Sequence, residues 1–285
     1  MKRMIAGGLI LLSILLSLSC FTSCDKEDVP SEGLEFTLLA DGSAYSVSGR
    51  GTCTDSRIVV PSTYEGLAVT EVGASAFYGD SVKSVVLPDS IREIGIWAFK
   101  NCKKLRSVSL SEGLRTISSG AFSGCELLRE IELPSSLTSI GSKAFQLCRA
   151  ITAVNLPDGL QTIGDEAFSG CYNITKITLG KELTTLGKGA FKSCWSICDV
   201  VIYNKVLRIP EGAFEDCKAL ETLTIPGNIA CIDDWAFKGC DALTTLTYEN
   251  TKENFMQILL RGDWRTESAI TAVTCTNGVL TLEPK

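Results

Sequence analysis

Apolar residues recur along this chain at a nearly constant spacing. The dipeptide Ala-Phe occurs eight times, in steps of 22 and then 23 residues, with its phenylalanines at Phe77, Phe99, Phe122, Phe145, Phe168, Phe191, Phe214 and Phe237. From the second copy onward a cysteine stands three residues after each phenylalanine, at Cys102, Cys125, Cys148, Cys171, Cys194, Cys217 and Cys240. A fixed period in the twenties is typical of a solenoid of stacked repeats. The pattern therefore predicts a tandem array of one short unit.

The unit that contains Phe145 shows the local pattern clearly, since residues 128–148 read LREIELPSSLTSIGSKAFQLC. Apolar and polar residues alternate around Ile131 and Leu133, which predicts a half-buried strand. Pro134 ends that strand because proline supplies no N–H to a ladder. A second apolar pair, Leu137 and Ile140, re-enters the core before a turn. No single unit can bury these positions alone, so each unit covers its neighbour, with parallel strands about 4.8 Å apart.

The consensus L-x-x-I-x-L-P-x-x-L-x-x-I-G-x-x-A-F-x-x-C resembles the BspA-like leucine-rich repeats (LRR_5 type) of bacterial cell-surface proteins, over residues 53–250. The predicted fold is a leucine-rich-repeat solenoid: a right-handed curved stack of 23-residue repeats. It has a parallel β-sheet on the concave face, short strands and turns on the convex side, and small caps at both ends. Single repeats depart from the consensus, with Ser111, Gly180 and Tyr203 in place of the proline and Pro210 in place of the glycine after Ile.

The N-terminus reads as an export signal. Lys2 and Arg3 precede an apolar run over residues 5–18, as in a secretory signal peptide. The residues before Cys24 resemble a bacterial lipobox, in which this cysteine is acylated. The acidic run 25–28 is similar to the surface-export signal of Bacteroidota lipoproteins. An ordinary cleaved signal followed by a solvated tether is the alternative.

The predicted organisation follows from these boundaries. It is a signal peptide over 1–23, a lipidated tether over 24–33, an N-terminal β-hairpin cap and irregular first repeat over 34–62, leucine-rich repeats over 63–250, and a C-terminal cap over 251–285. The C-terminal cap is predicted as an amphipathic helix over 252–261 followed by a hairpin at Asn277-Gly278.

Composition argues against catalysis and against nucleic-acid binding. The 285 residues include no His, which excludes histidine-based nucleophile activation and His-ligated zinc. Lys and Arg number 27 against 33 Asp and Glu, with no basic block. Glu130 and Glu132 are the only plausible acid and base pair, and no cleft is expected around them. We therefore predict no enzymatic activity, no cofactor, no metal site and no nucleic-acid partner.

The seven in-register cysteines are interpreted as a structural ladder of small buried side chains with weak S–H donors. Equivalent side chains about 4.8 Å apart and parallel do not converge as a disulfide requires. Cys198 and Cys231 differ, because they occupy positions where other repeats carry exposed residues.

The strand face is the predicted binding surface. Its outward positions are partly basic towards the N-terminal end and rich in threonine towards the other. The candidate residues are Lys83, Arg106, Arg129, Glu130, Glu132, Thr175, Thr178, Thr222, Thr224, Thr245 and Thr247. The alternative for these residues is β-propensity and solubility.

Exposed aromatic positions form a second set of candidates. Tyr172 and Trp195 follow the cysteine in consecutive repeats and should be neighbours, while Trp97 and Trp235 are isolated cases. Such residues serve as protein hot spots or sugar platforms. Packing against the adjacent turn is the alternative.

The resemblance implies an outer-membrane lipoprotein displayed on the cell surface and adhesin-like in function, which binds extracellular or host proteins. A lipid anchor would be its only attachment to the membrane. Two alternatives stay open: a glycan-capturing accessory lipoprotein and a periplasmic scaffold.

Overall fold

The 23-residue period becomes a stack of chain turns in the computed structural model, which describes residues 28–283. Its strands in chain order are β1 Glu35–Leu38, β2 Tyr45–Gly49, β3 Arg57–Val59, β4 Thr63–Tyr64, β5 Leu67–Val72, β6 Ser84–Val86, β7 Glu93–Ile94, β8 Ser107–Ser109, β9 Thr116–Ile117, β10 Glu130–Ile131, β11 Ser139–Ile140, β12 Ala153–Asn155, β13 Thr162–Ile163, β14 Lys176–Thr178, β15 Thr185–Leu186, β16 Asp199–Val201, β17 Arg208–Ile209, β18 Thr222–Ile225, β19 Cys231–Ile232, β20 Thr245–Tyr248, β21 Leu259–Leu260, β22 Ala272–Cys275 and β23 Gly278–Thr281. A four-residue helix, α1 (Lys252–Phe255), precedes β21. In residues 28–283 no helix is long and apolar enough to cross a bilayer. The predicted solenoid is confirmed, with about ten turns.

The predicted signal peptide, the lipid-attachment residue Cys24 and the tether through residue 27 lie outside the described residues.

One side of the stack is a parallel ladder formed by the first strand of each repeat, here named the first ladder. It comprises β3, β6, β8 and β10, and then, as a second sheet, β12, β14, β16, β18, β20 and β22. Equivalent residues of consecutive repeats lie opposite each other, as in Val85 and Val108. Those central side chains are buried, and their neighbours along the strand face outward because successive side chains alternate. We call the outward surface the first-ladder face.

A second parallel ladder is formed by the short strand that follows in each repeat. It runs from β2 through β5, β7, β9, β11 and β13 to β15, and resumes as β17, β19 and β21. In regular repeats the residue after the strand donates its N–H to the preceding repeat, as Gly164 does to the Ile140 carbonyl at 2.8 Å. The corresponding residue beside β17 is Pro210, which has no N–H. The second ladder is interrupted at this repeat.

The Ala-Phe turns form the third side of the stack. From Phe77 to Phe214 each phenylalanine N–H donates to the alanine carbonyl of the next repeat, as Phe99 does to Ala121 at 2.7 Å, and Phe237 donates to the Trp264 carbonyl at 2.9 Å. The eight phenylalanine rings from Phe77 to Phe237 stack in one column, with centroids 5.2 to 6.0 Å apart and planes within 4 to 18°. These rings belong to one hydrophobic core that runs through the repeats.

Hairpins lie at both ends of the stack. β1 pairs antiparallel with β2, and β22 pairs antiparallel with β23. The expectation of an amphipathic helix over 252–261 is wrong in extent, because the helix ends at Phe255 and β21 joins the second ladder. The Leu259 N–H donates to the Ala230 carbonyl at 3.0 Å. Ladder pairing therefore overrides the helical periodicity, and Leu259 and Leu260 face solvent.

Candidate functional site

The basic residues of the first-ladder face lie on three consecutive repeats. The backbone N–H of Arg106 donates to the Lys83 carbonyl at 2.8 Å, and that of Arg129 donates to the Arg106 carbonyl at 3.0 Å. All three side chains are exposed. None of them forms an ion pair with a carboxylate among the described side chains. We call Lys83, Arg106 and Arg129 the basic row.

Some cations elsewhere in the stack pair with a carboxylate of the adjacent repeat. Lys181 lies 2.9 Å from Asp158, and Lys188 lies 2.9 Å from Glu211. Register places equivalent residues of adjacent repeats side by side. A cation in one repeat and a carboxylate at the same position of the next can therefore form an ion pair. In the basic row register instead places like charges together. At about 5 Å in water such a pair is repelled by roughly 1 kcal/mol, so folding gains nothing from the arrangement.

A trough adjoins the basic row. It has a volume of about 660 Å³ and is lined by small side chains, including Ser84, Ser107 and Ser109. Arg57 and the exposed carboxylates Glu112 and Glu132 also line it. Glu132 further borders a second depression of about 460 Å³ together with Arg129, where the ladder is interrupted between β10 and β12. The position of Glu130 is given by β10, and its side chain lies outside the description.

The threonines form a separate part of the first-ladder face. Thr224 pairs in register with Thr247, and Thr222 pairs with Asp199 and donates its hydroxyl to that carboxylate. The remaining candidates, Thr175, Thr178 and Thr245, occupy equivalent outward positions of the same face. Register therefore separates the predicted candidates into a basic half and a threonine half.

Tyr172 and Trp195 stack on each other, with ring centroids 4.1 Å apart and planes 16° from parallel. The Arg149 guanidinium lies 5.6 Å from the Tyr172 centroid, and the Lys218 ammonium lies 6.0 Å from the Trp195 centroid. These four residues occupy the same position in consecutive repeats. Each aromatic ring is thus flanked on both faces, by the other ring on one side and by a cation on the other.

The seven ladder cysteines are fully buried free thiols. Each Sγ donates to the carbonyl of the phenylalanine in the preceding repeat, at 2.8 to 3.2 Å. Burial raises the pKa of Cys171 and of Cys240 to about 12. A thiol with such a high pKa is almost fully protonated near neutral pH. Because the thiolate is the nucleophile, these side chains are inert.

The two cysteines outside the ladder differ in exposure. Cys198 is exposed, and its Sγ lies 3.3 Å from the Ser196 carbonyl. The expectation that Cys231 occupies an exposed position is wrong, since the structure buries it. Its Sγ donates to Asp233 at 3.3 Å.

The surroundings of Asp233 were not anticipated from the sequence. Its buried carboxylate accepts a hydrogen bond from Arg208 Nε at 2.5 Å, and Arg261 Nε lies 3.6 Å away. Burial alone would raise the pKa of Asp233, but the Arg208 hydrogen bond and the two guanidinium charges outweigh it and hold the pKa below its usual value. The signal in the sequence is weak, because Arg208, Asp233 and Arg261 come from three irregular repeats.

Comparison with known proteins agrees with this architecture. The model of the BspA-type leucine-rich repeat region, in six copies, matches residues 70–195 and 138–262. A leucine-rich repeat protein from Bacteroides ovatus is 25% identical, with a TM-score of 0.71 over 87% of this chain and 71% of that one. The T. pallidum leucine-rich repeat protein is 28% identical, with a TM-score of 0.53 over 75% of this chain and 90% of that one. No curated protein matches the sequence.

Proposed function

Because the chain belongs to the family of BspA-type leucine-rich repeat proteins, we propose that it is a non-enzymatic, adhesin-like binding protein that recognises extracellular or host proteins through its first-ladder face. Proteins of this family are generally protein-binding scaffolds and typically surface-associated in bacteria. The rigid stack presents its side chains in a fixed arrangement, so little conformational entropy is lost on docking.

The observation that carries the proposal is the basic row beside the serine-lined trough. Three adjacent cations that form no ion pair with a described carboxylate favour an acidic segment of the partner protein. The trough of about 660 Å³ can take an extended chain alongside them, with serine hydroxyls available as donors and acceptors. The binding energy would then come from ion pairs between the basic row and carboxylates of the partner.

Surface plasmon resonance of the purified protein over immobilised extracellular-matrix proteins tests this proposal. We expect saturable binding that weakens as salt shortens the Debye length from about 10 Å at 0.1 M to about 3 Å at 1 M. The triple variant Lys83→Glu, Arg106→Glu, Arg129→Glu should lose most of that binding. The control variant Lys104→Glu, Lys181→Glu, Lys205→Glu changes the net charge equally on the turns and should bind as the unmodified protein does. Equal loss in both variants, or no saturable binding, would contradict the proposal.

Display on the outer surface through a lipid on Cys24 is the second part of the proposal. Its support is the predicted lipobox and the surface association that is typical of the family. Protease treatment of intact cells should remove the protein, and fatty-acid labelling should disappear in Cys24→Ser. Survival of the protein in intact cells would favour the periplasmic scaffold instead.

The glycan-capturing alternative, with Tyr172 and Trp195 as its sugar platform, stays a prediction that the ring packing does not favour. A sugar ring stacks on the open face of an aromatic side chain, whereas Tyr172 and Trp195 have both faces flanked. Their stack is accounted for by packing along the solenoid.

A further inference from the structure

An exposed tryptophan occupies a strained backbone position in the eighth Ala-Phe repeat. The residue before each Ala-Phe pair is left-handed, with φ between 54 and 62°. Glycine fills this position in three repeats, at Gly120, Gly189 and Gly212. A bulky L-residue is disfavoured there, yet Trp235 adopts φ 57° with 45% of its surface exposed. Neither backbone geometry nor core packing therefore explains a tryptophan at this position.

Trp235 lines a groove on the turn side, remote in sequence from the basic row. The groove has a volume of about 420 Å³ and includes Gly189 and Gly212 in its lining. A side-chain Cβ added to Gly212 would meet only Glu215 within 4 Å, so the space towards Trp235 is open. The groove is accessible because Gly212, at the equivalent position one repeat before Trp235, has no side chain.

Ion pairs line the groove. Lys188 lies 2.9 Å from Glu211, and Glu215 lies 2.7 Å from Lys192 and 3.9 Å from Lys238. Together with Glu166 and Lys238, the lining carries three ammonium groups and three carboxylates. The groove therefore has no net charge, although it is rich in both hydrogen-bond donors and acceptors.

Trp97 occupies the same position in its repeat but has a different neighbour. A Cβ added to Gly120 would lie 2.5 Å from Trp97 Cδ1, so this indole lies across the glycine of the next repeat. Trp97 and Trp235 thus share backbone geometry and similar exposure, at 48% and 45%, and differ in what lies beside them. This pair gives a matched control within one chain.

We propose that the groove binds a pyranose unit of a neutral glycan against the indole of Trp235. The Lys238 ammonium lies 5.8 Å from the centroid of this indole and covers one face, so the C–H surface of the sugar would meet the opposite face. Ring hydroxyls both donate and accept hydrogen bonds, which suits a lining that carries ammonium and carboxylate groups together. A charged ligand would gain from half of these groups and be repelled by the other half. An apolar ligand would leave the six charged groups desolvated without new partners.

Affinity gel electrophoresis of the purified protein tests the proposal, with soluble starch, laminarin, xylan and galactomannan as neutral probes and heparin as an anionic one. At least one neutral polysaccharide should retard the protein. Trp235→Ala should weaken that binding about tenfold, the effect of one lost aromatic contact, while Trp97→Ala stays within about twofold.

A second variant guards against an effect on folding. Gly212→Lys places in the groove the residue type that Lys143 already shows to be compatible with this backbone conformation, at φ 58°. It should abolish retardation while the near-ultraviolet circular dichroism spectrum stays unchanged. Retardation by heparin alone, by no polysaccharide, or unaffected by Trp235→Ala would overturn the proposal, as would equal loss in Trp97→Ala.

Discussion

At the scale of single residues, the ladder cysteines combine small volume with one weak hydrogen bond. Each thiol closes the space beneath an Ala-Phe turn and donates to a carbonyl that also accepts from its own turn, as the Phe99 carbonyl does from Cys125 Sγ and the Cys102 N–H. Free cysteine behaves as a small hydrophobe in such a setting. The repetition of this contact makes the core dependent on the thiols staying protonated.

Stability should therefore fall at alkaline pH. Burial raises the pKa of Cys171 and Cys240 from 9.0 to about 12, and raises those of Cys148, Cys194 and Cys217 well above 9.0. The unfolded chain releases these protons first, so their contribution is fully present below pH 9 and is lost as pH rises towards 12. Each such thiol lowers the free energy of unfolding by about 1.4 kcal/mol per pH unit in that window.

Urea denaturation between pH 8 and pH 11 measures this dependence. Cys171→Ala should reduce the slope of the unfolding free energy against pH by the contribution of one buried thiol. Cys198→Ala, at an exposed position, should leave this slope unchanged. A free energy of unfolding that is flat across this range would contradict the prediction.

At the scale of elements, a proline coincides with the break in the second ladder. β15 and β17 occupy equivalent positions of adjacent repeats but belong to different sheets, with Pro210 at the gap. In a regular repeat this position donates, as Ser118 does to the Ile94 carbonyl at 2.8 Å. The missing N–H of Pro210 removes one of the hydrogen bonds that join these strands in regular repeats.

Pro210→Ser should restore the pairing between β15 and β17. Hydrogen exchange measured by mass spectrometry should slow in the peptides that cover residues 185–187 and 208–210. Global stability should change little, because a hydrogen bond of about 1 kcal/mol is offset by about 0.4–1 kcal/mol from the lost rigidity of proline. Pro157→Ser, whose equivalent in another repeat is Ser111, is the control and should not alter exchange at the gap.

At the scale of the whole molecule, stability is shared between neighbouring repeats. Phe168 lies between Phe145 and Phe191 in the ring column, whereas Phe77 begins the column and stacks on Phe99 alone. In a solenoid each repeat contacts only its neighbours, so position along the stack decides how much packing one ring provides.

Phe168→Ala should therefore cost about 3–5 kcal/mol, the range for a buried phenylalanine, and Phe77→Ala clearly less. Chemical denaturation followed by circular dichroism compares the two variants. An equal loss of stability would mean that the solenoid unfolds with no dependence on position in the column.

The repeat pattern determined which residues share a column, because units of equal length and similar local conformation stack in register. The leucine-rich-repeat fold, the phenylalanine core and the adjacency of Lys83, Arg106 and Arg129 all follow from spacing alone. The tertiary structure decided the neighbours of each side chain, because a side chain contacts residues of the adjacent repeat, about 23 positions away in the sequence. Only the fold shows that cations flank the Tyr172–Trp195 stack, that Leu259 and Leu260 join a ladder, and that Gly212 leaves Trp235 beside an open groove while Trp97 covers Gly120.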